Sequence, residues 1–115
     1  VMTAGGGQIF AGLALGATAH TAAPLLAAPE RAFALYEHLQ AGNLAAARAE
    51  QRTILDFLVR MPKLGNREVC AEVKVVLHLR GVIQPYVSAP FHTATTAQQE
   101  EISRLADELD LYPTG

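Results

Sequence analysis

Three consecutive glycines, Gly5-Gly6-Gly7, follow the short run Val1-Met2-Thr3-Ala4 and precede Gln8-Ile9-Phe10. A glycine turn between a parallel strand and a helix is where α/β proteins place ligands. Backbone can approach a small molecule closely there, and amide groups can face an anion. The run has neither the spacing nor the lysine of a phosphate-binding loop, so it suggests a pocket wall made of backbone. The other chemistry-bearing residues are scattered. His20, His38, His78 and His92 make no HExxH or HxH, and the single cysteine, Cys70, makes no CxxC. The sequence therefore predicts no metal site and no bound cofactor. His20 alone falls in an apolar segment and reads as a satisfied core or interface histidine. Lys63 follows a helix end, where a cation suits the dipole. Lys74 sits in the apolar run VKVVLHLRG. A desolvated lysine can become a nucleophile, but an aliphatic stem with a solvated head accounts for it. Cys70, in VCAEVKVVL, reads as a small buried hydrophobe. No serine lies in a GxSxG elbow, and Glu100-Glu101 and Asp107-Glu108 read as an exposed helix face. No catalytic residue is assigned within the chain.

The elements that position the glycine turn follow from the patterning. No charge appears before Glu30. Residues 1–4 read as the end of a strand. Ile9, Phe10, Leu13 and Leu15 recur at helical spacing within residues 8–16, with Gly16 closing the segment. Residues 17–22, ATAHTA, read as a short strand buried on both faces. Pro29 opens a helix that Gly42 stops. Strand, helix, strand, helix over residues 1–41 is the pattern of parallel strands joined by crossover helices. Asn43 then caps a helix from Leu44 to about Met61, with Leu44, Ala47, Ile54, Leu55, Leu58 and Met61 as its apolar stripe. Pro62 and Gly65 end it. Asn66 caps the next helix, where Val69, Cys70, Val73, Val76 and Leu77 recur, and Gly81 stops that one. After an irregular stretch with two prolines, Thr95 or Thr96 opens a last helix in a capping box, with Ile102, Leu105, Ala106 and Leu109 facing inward.

Composition sets limits on the partners. The 115 residues allow one small domain, 50% of them are hydrophobic, and the formal net charge is −2. Arginines are spread singly, so no electrostatic footprint for nucleic acid or anionic lipid is expected. One cysteine allows no internal disulfide, and a cytoplasmic home follows as the expectation. Residues 9–28 are uncharged and about long enough to cross a bilayer. Their alanines, glycines and polar interruptions argue for buried structure instead, and no basic, leucine-rich leader is present. A short two-stranded parallel sheet has two open edges, so this N-terminal part is expected to lie against further strands.

The order of these pieces resembles the C-terminal part of the dihydrodipicolinate synthase and N-acetylneuraminate lyase family. The resemblance runs through TAGG, LALGA, ATAHTA, APERAFALYEHLQAGNLAAARAEQ, VKVVLHLRG, SAPF and TTAQQEEI, nearly the whole chain. It implies an α/β fold, mostly helical by content. Residues 1–41 would be the last two β/α units of a TIM (β/α)₈ barrel, and residues 42–115 a three-helix C-terminal extension. A barrel of roughly 250 residues would put about 180 residues before Val1. The family forms a Schiff base between a strand-six lysine and a 2-oxo acid, usually pyruvate, with a strand-five tyrosine relaying protons. Neither Lys63 nor Lys74 matches that lysine. Tyr36, Tyr86 and Tyr112 do not match that tyrosine, and the GTTGE-type loop is absent.

The resemblance implies substrate-binding roles for three residues. Gly5 or Gly6 matches the strand-seven glycine whose backbone borders the substrate. Thr21 matches a strand-eight position usually filled by an apolar residue lining the 2-oxo acid. The chain departs from members that handle polyhydroxylated substrates in having Gly7 and Gln8 where acidic residues often stand, and Ala22 or Ala23 in place of a serine. Ser88-Ala89-Pro90 lacks the arginine often found before the proline. The implied whole is a pyruvate-dependent aldolase-type lyase, a homo-oligomer and commonly a tetramer, of which this chain would be an inactive fragment. The alternative is a non-enzymatic helical interaction module whose apolar opening docks on a partner or self-associates. A third is an exported protein whose first segment is cleaved.

Overall fold

A computed structural model describes residues 1–64 and 69–112. In chain order it contains β1 (Met2–Ala4), a 3₁₀ turn (Gly6–Gln8), α1 (Ile9–Ala14), β2 (Ala19–Thr21), α2 (Pro24–Ala27), α3 (Pro29–Gln40), α4 (Leu44–Arg60), α5 (Cys70–Leu79) and α6 (Thr96–Glu108). β1 and β2 pair in parallel, with Met2 opposite Ala19, Thr3 opposite His20 and Ala4 opposite Thr21. The fold is mostly helical with a small parallel sheet, as the patterning predicts. Two local expectations are corrected. The first helix is shorter than residues 8–16 because its opening turn is 3₁₀, and Leu15 lies beyond its end, 89% exposed. A short helix, α2, precedes α3, and Pro24 occupies its first turn, where a missing N–H costs nothing.

The helix starts obey local chemistry. Asn43 Oδ1 accepts from the Ala46 amide at 3.2 Å. Thr95 rather than Thr96 caps α6, and Gln98 completes the capping box by returning a bond to the Thr95 amide. Gly65 and Asn66, expected between α4 and α5, lie outside the described residues.

The core consists of two clusters that share Leu58. Ile9, Leu35, Ala47 and Ile54 form one, between α1, α3 and α4. Phe57, Met61, Val75, Val76, Ile102 and Leu105 lie in the other, where α4, α5 and α6 meet. Because α4 faces both clusters, its buried arc is wider than a single stripe. It takes in Gln51 and Phe57, which the expected stripe omitted, while Leu44 and Leu55 are exposed. The buried arc of α5 is likewise rotated, running through Ala71, Glu72, Val73, Val75 and Val76. Cys70 is exposed, not the buried hydrophobe expected, because α5 packs on the side away from it.

The expected two-sided burial of the second strand is also corrected. Thr3 and His20 lie half-buried on the face toward α1, while Met2, Ala4 and Thr21 on the alternate face are exposed. Ala19, opposite Met2 on that alternate face, is half-buried; among the described residues the face toward α1 is the covered one.

Two arginines tie the early helices to the later ones. Arg80 pairs with Glu30, donates to the Ala27 carbonyl at 3.1 Å, and stacks 4.9 Å from the Tyr112 ring centre. Arg31 bonds Glu50 at 3.0 Å and the Asp110 carboxylate at 3.2 Å. The Arg80 hydrogen bond holds the Glu30 carboxyl below its ordinary range against the opposing effect of burial. A pKa depressed by folding gives stability that is present above the unfolded value and lost as pH falls through the folded one. The melting-temperature gap between the wild type and Glu30→Gln is therefore expected to be widest near neutrality. It should close as pH drops below about 4.3, the ordinary glutamate value. Glu30 is partly solvated, so the gap is expected to be small.

Candidate functional site

The glycine turn sits at the carboxyl end of β1, beside the carboxyl end of β2. Gly5 has φ +104°, a conformation that favours glycine. Its amide donates to the Thr21 carbonyl at 3.2 Å, extending the parallel ladder by one bond. Its carbonyl accepts from the Gln8 amide at 3.0 Å and from His20 Nε2 at 2.9 Å. A carbonyl can only accept, so Nε2 carries the hydrogen. Thr3 Oγ1 lies 2.8 Å from Nδ1 and, in the Nε2–H tautomer, donates to it. His20 is thus satisfied at both nitrogens, as expected of it.

The opposite side of the turn is held from α4. The Gln51 side chain is buried. Its Nε2 donates to the Gly6 carbonyl at 3.0 Å, and its Oε1 accepts from the Phe10 amide at 2.8 Å. The Phe10 amide lies at the start of α1, where no carbonyl of the same helix is available. One amide side chain therefore closes a backbone N–H that helix geometry leaves open and ties it to a carbonyl of the glycine turn.

The two candidate glycines have different surroundings. A Cβ on Gly6 would fall 2.9 Å from both Leu58 Cδ1 and Pro24 Cγ, so packing requires glycine there. A Cβ on Gly5 would meet nothing closer than Gln8 Cδ at 4.0 Å, and its requirement is conformational. Gly5 is exposed, as is Thr21. The structure brings the two together through their backbone bond, on the exposed side of the sheet.

The family model for the dihydrodipicolinate synthetase family matches residues 5–109. The chain belongs to that family. The structure of dihydrodipicolinate synthase from the commensal bacterium Bacteroides thetaiotaomicron superposes with a TM-score of 0.81 at 19% identity. The match covers 93% of this chain and 37% of that one, so this chain spans well under half of its structural relative. That likeness establishes a shared fold. No curated protein matches.

Within the dihydrodipicolinate synthetase family framework, the remaining reactive side chains stand away from the glycine turn. Lys74 Nζ donates to the Tyr86 carbonyl and Lys63 Nζ to the Leu58 carbonyl, each at 2.8 Å. Both are anchored to loop or helix-end backbone. His78 Nδ1 donates to the Ile83 carbonyl at 3.1 Å, and His38 lies half-buried on α3. Among the described residues no three His, Cys, Asp or Glu side chains gather as a metal site, and no helix is long and apolar enough to cross a membrane. Burial raises the Tyr112 hydroxyl above its ordinary value. An open apolar groove of about 300 Å³ lies between α1, β2 and α3, with Leu13, Leu25, Phe33 and Tyr36 on its walls.

Sequence reasoning missed Gln51 and Gly12. The signal for Gln51 was present, a glutamine between Ala47 and Ile54 in an otherwise apolar stripe. Gly12 left no such trace. Its role depends on Thr3, which the parallel crossover brings against α1.

Proposed function

We propose that residues 1–41 are the last two β/α units of a (β/α)₈ barrel and residues 42–115 its helical extension, together part of a lyase acting on a 2-oxo acid. The observation that carries this reading is the family match over residues 5–109, with a glycine turn at the carboxyl ends of two parallel strands. Ligands of such folds bind at that end of the strands. Gly5 borders the substrate with its backbone, and Thr21 lines it from the neighbouring strand. The packing of Gly6 on Leu58 and Pro24 supports Gly5 over Gly6 in that role. The exposed face carrying Ala4 and Thr21 is the interior wall of the barrel.

The chemistry is aldol cleavage, condensation or dehydration through an imine between a lysine and the keto carbon, which serves as an electron sink. Lys63 and Lys74 are both engaged away from the turn, so the imine lysine is not among these 115 residues and the chain by itself is inactive. The whole enzyme is a homo-oligomer, with a tetramer expected. Gly7 and Gln8 offer no carboxylate to a polyol, and Ala22 and Ala23 offer no hydroxyl where sugar-acid lyases carry a serine. Both favour a short 2-oxo acid over a long sugar acid.

Incubation with pyruvate and borohydride tests this, followed by intact-mass and peptide analysis. The expected result is no adduct on either lysine, with pyruvate perturbing the Gly5 and Thr21 amide resonances in a parallel titration. A reduced pyruvyl adduct on Lys74 or Lys63, or perturbation confined to other surfaces, would refute the assignment.

A further inference from the structure

We infer that His20 and Gln51 act as a two-sided clamp that sets the shape of the glycine turn, and so are positioning residues for the pocket it borders. This rests on the 2-oxo acid reading for its consequence, though not for its geometry. Two adjacent carbonyls of the turn, Gly5 and Gly6, each accept from a side chain on a different element. One donor is His20 of β2 at 2.9 Å, the other Gln51 of α4 at 3.0 Å. Each donor is itself held at its other polar atom. Thr3 fixes the His20 ring through Nδ1, and the Phe10 amide fixes Gln51 through Oε1. Neither side chain can leave its carbonyl without breaking a second bond.

The restraint matters because glycine does not restrain itself. A run of three samples far more backbone conformations than any other tripeptide. Gly5 must hold φ +104° while its amide stays on the Thr21 carbonyl. Bonds to both following carbonyls fix the two peptide planes that leave Gly5. A pocket wall made of backbone depends on such restraint, because misplacement by about an ångström is costly to binding and to chemistry. Gln51 also makes the extension part of this device, since α4 lies beyond the two β/α units.

The tautomer provides a spectroscopic signature. In ¹⁵N-histidine spectra His20 is expected as the Nε2–H form with Nδ1 as acceptor. His20→Phe removes the donor, whereas His20→Gln keeps an amide donor at the Nε2 position and an oxygen to accept from Thr3. The expected result is that His20→Phe and Gln51→Met each speed hydrogen exchange of the residue 5–8 amides about tenfold and weaken pyruvate binding about as much. His20→Gln should stay within about twofold of the wild type in both. Thermal melting runs alongside, and a variant that has lost its native melt is replaced in the comparison by His20→Asn or Gln51→Asn, whose shorter amides fall short of the turn carbonyls and should speed exchange likewise.

The clamp is overturned if His20→Phe leaves turn exchange unchanged, if His20→Gln is as disruptive as His20→Phe, or if the turn loosens while pyruvate affinity is unaffected. A wild-type chain whose turn responds to no 2-oxo acid would instead refute the pocket reading. The exchange and tautomer measurements would still judge the clamp.

Discussion

Phe57→Ala is expected to destabilise the chain by about 3–5 kcal/mol, measured by urea unfolding followed by circular dichroism. Phe57 is 1% exposed and sits where α4 meets the α5–α6 cluster, close to Leu58, the residue shared by both clusters. Truncation removes the transfer free energy of a phenyl ring and leaves a cavity whose walls come from several helices. Those walls belong to elements held elsewhere by their own contacts, so collapse around the void is limited. The total stability of a domain this size is about 5–15 kcal/mol at most, so the loss is a large fraction of it. Val59→Ala, two residues along the same helix at 72% exposure, serves as the control and is expected to fall within about 0.5 kcal/mol of the wild type. Equal effects from the two would mean that α4 does not present the face described.

Gly12→Ala is expected to destabilise by about 1–3 kcal/mol, although alanine is the better helix former by about 1 kcal/mol. The sign is decided by Thr3. A Cβ on Gly12 would lie 3.0 Å from the Thr3 Cβ and closer still to its hydroxyl oxygen. Threonine is β-branched and cannot swing away cheaply, and its hydroxyl is committed to His20. The clash therefore pushes α1 off the sheet or breaks the Thr3–His20 bond. Thr3→Ala alone costs that bond. Combined with Gly12→Ala it should recover most of the loss, giving a favourable coupling energy in a double-mutant cycle. Gly12→Ala variants that melt at or above the wild-type temperature would show that β1 and α1 are not in contact at this point.

These two sites differ in how far they could be read from the sequence. The burial of α4 was legible in outline, because Ala47, Ile54 and Met61 recur at helical spacing and Asn43 marks the start. Phe57 was overlooked because a stripe drawn for one partner omits the flank that meets a second. The same limitation displaced Cys70 and hid Glu72. Periodicity reports that a helix has an apolar side, but its rotation is set by how many neighbours it meets.

The sequence by itself determined the order and type of the main elements, the capping residue of α4, the capping box of α6 to within Thr95 or Thr96, and the glycine turn. Each depends on residues within a few positions of one another, through φ preferences, local hydrogen bonds and helical or strand periodicity. Motif order over nearly the whole length also led to the right family. Tertiary structure alone decided that Thr3 meets Gly12, that Gln51 reaches back 45 residues to the Gly6 carbonyl, and that Gly6 is packed while Gly5 is open. These are contacts between segments distant in sequence, and local residue preferences carry no information about which distant side chain will satisfy a given backbone group.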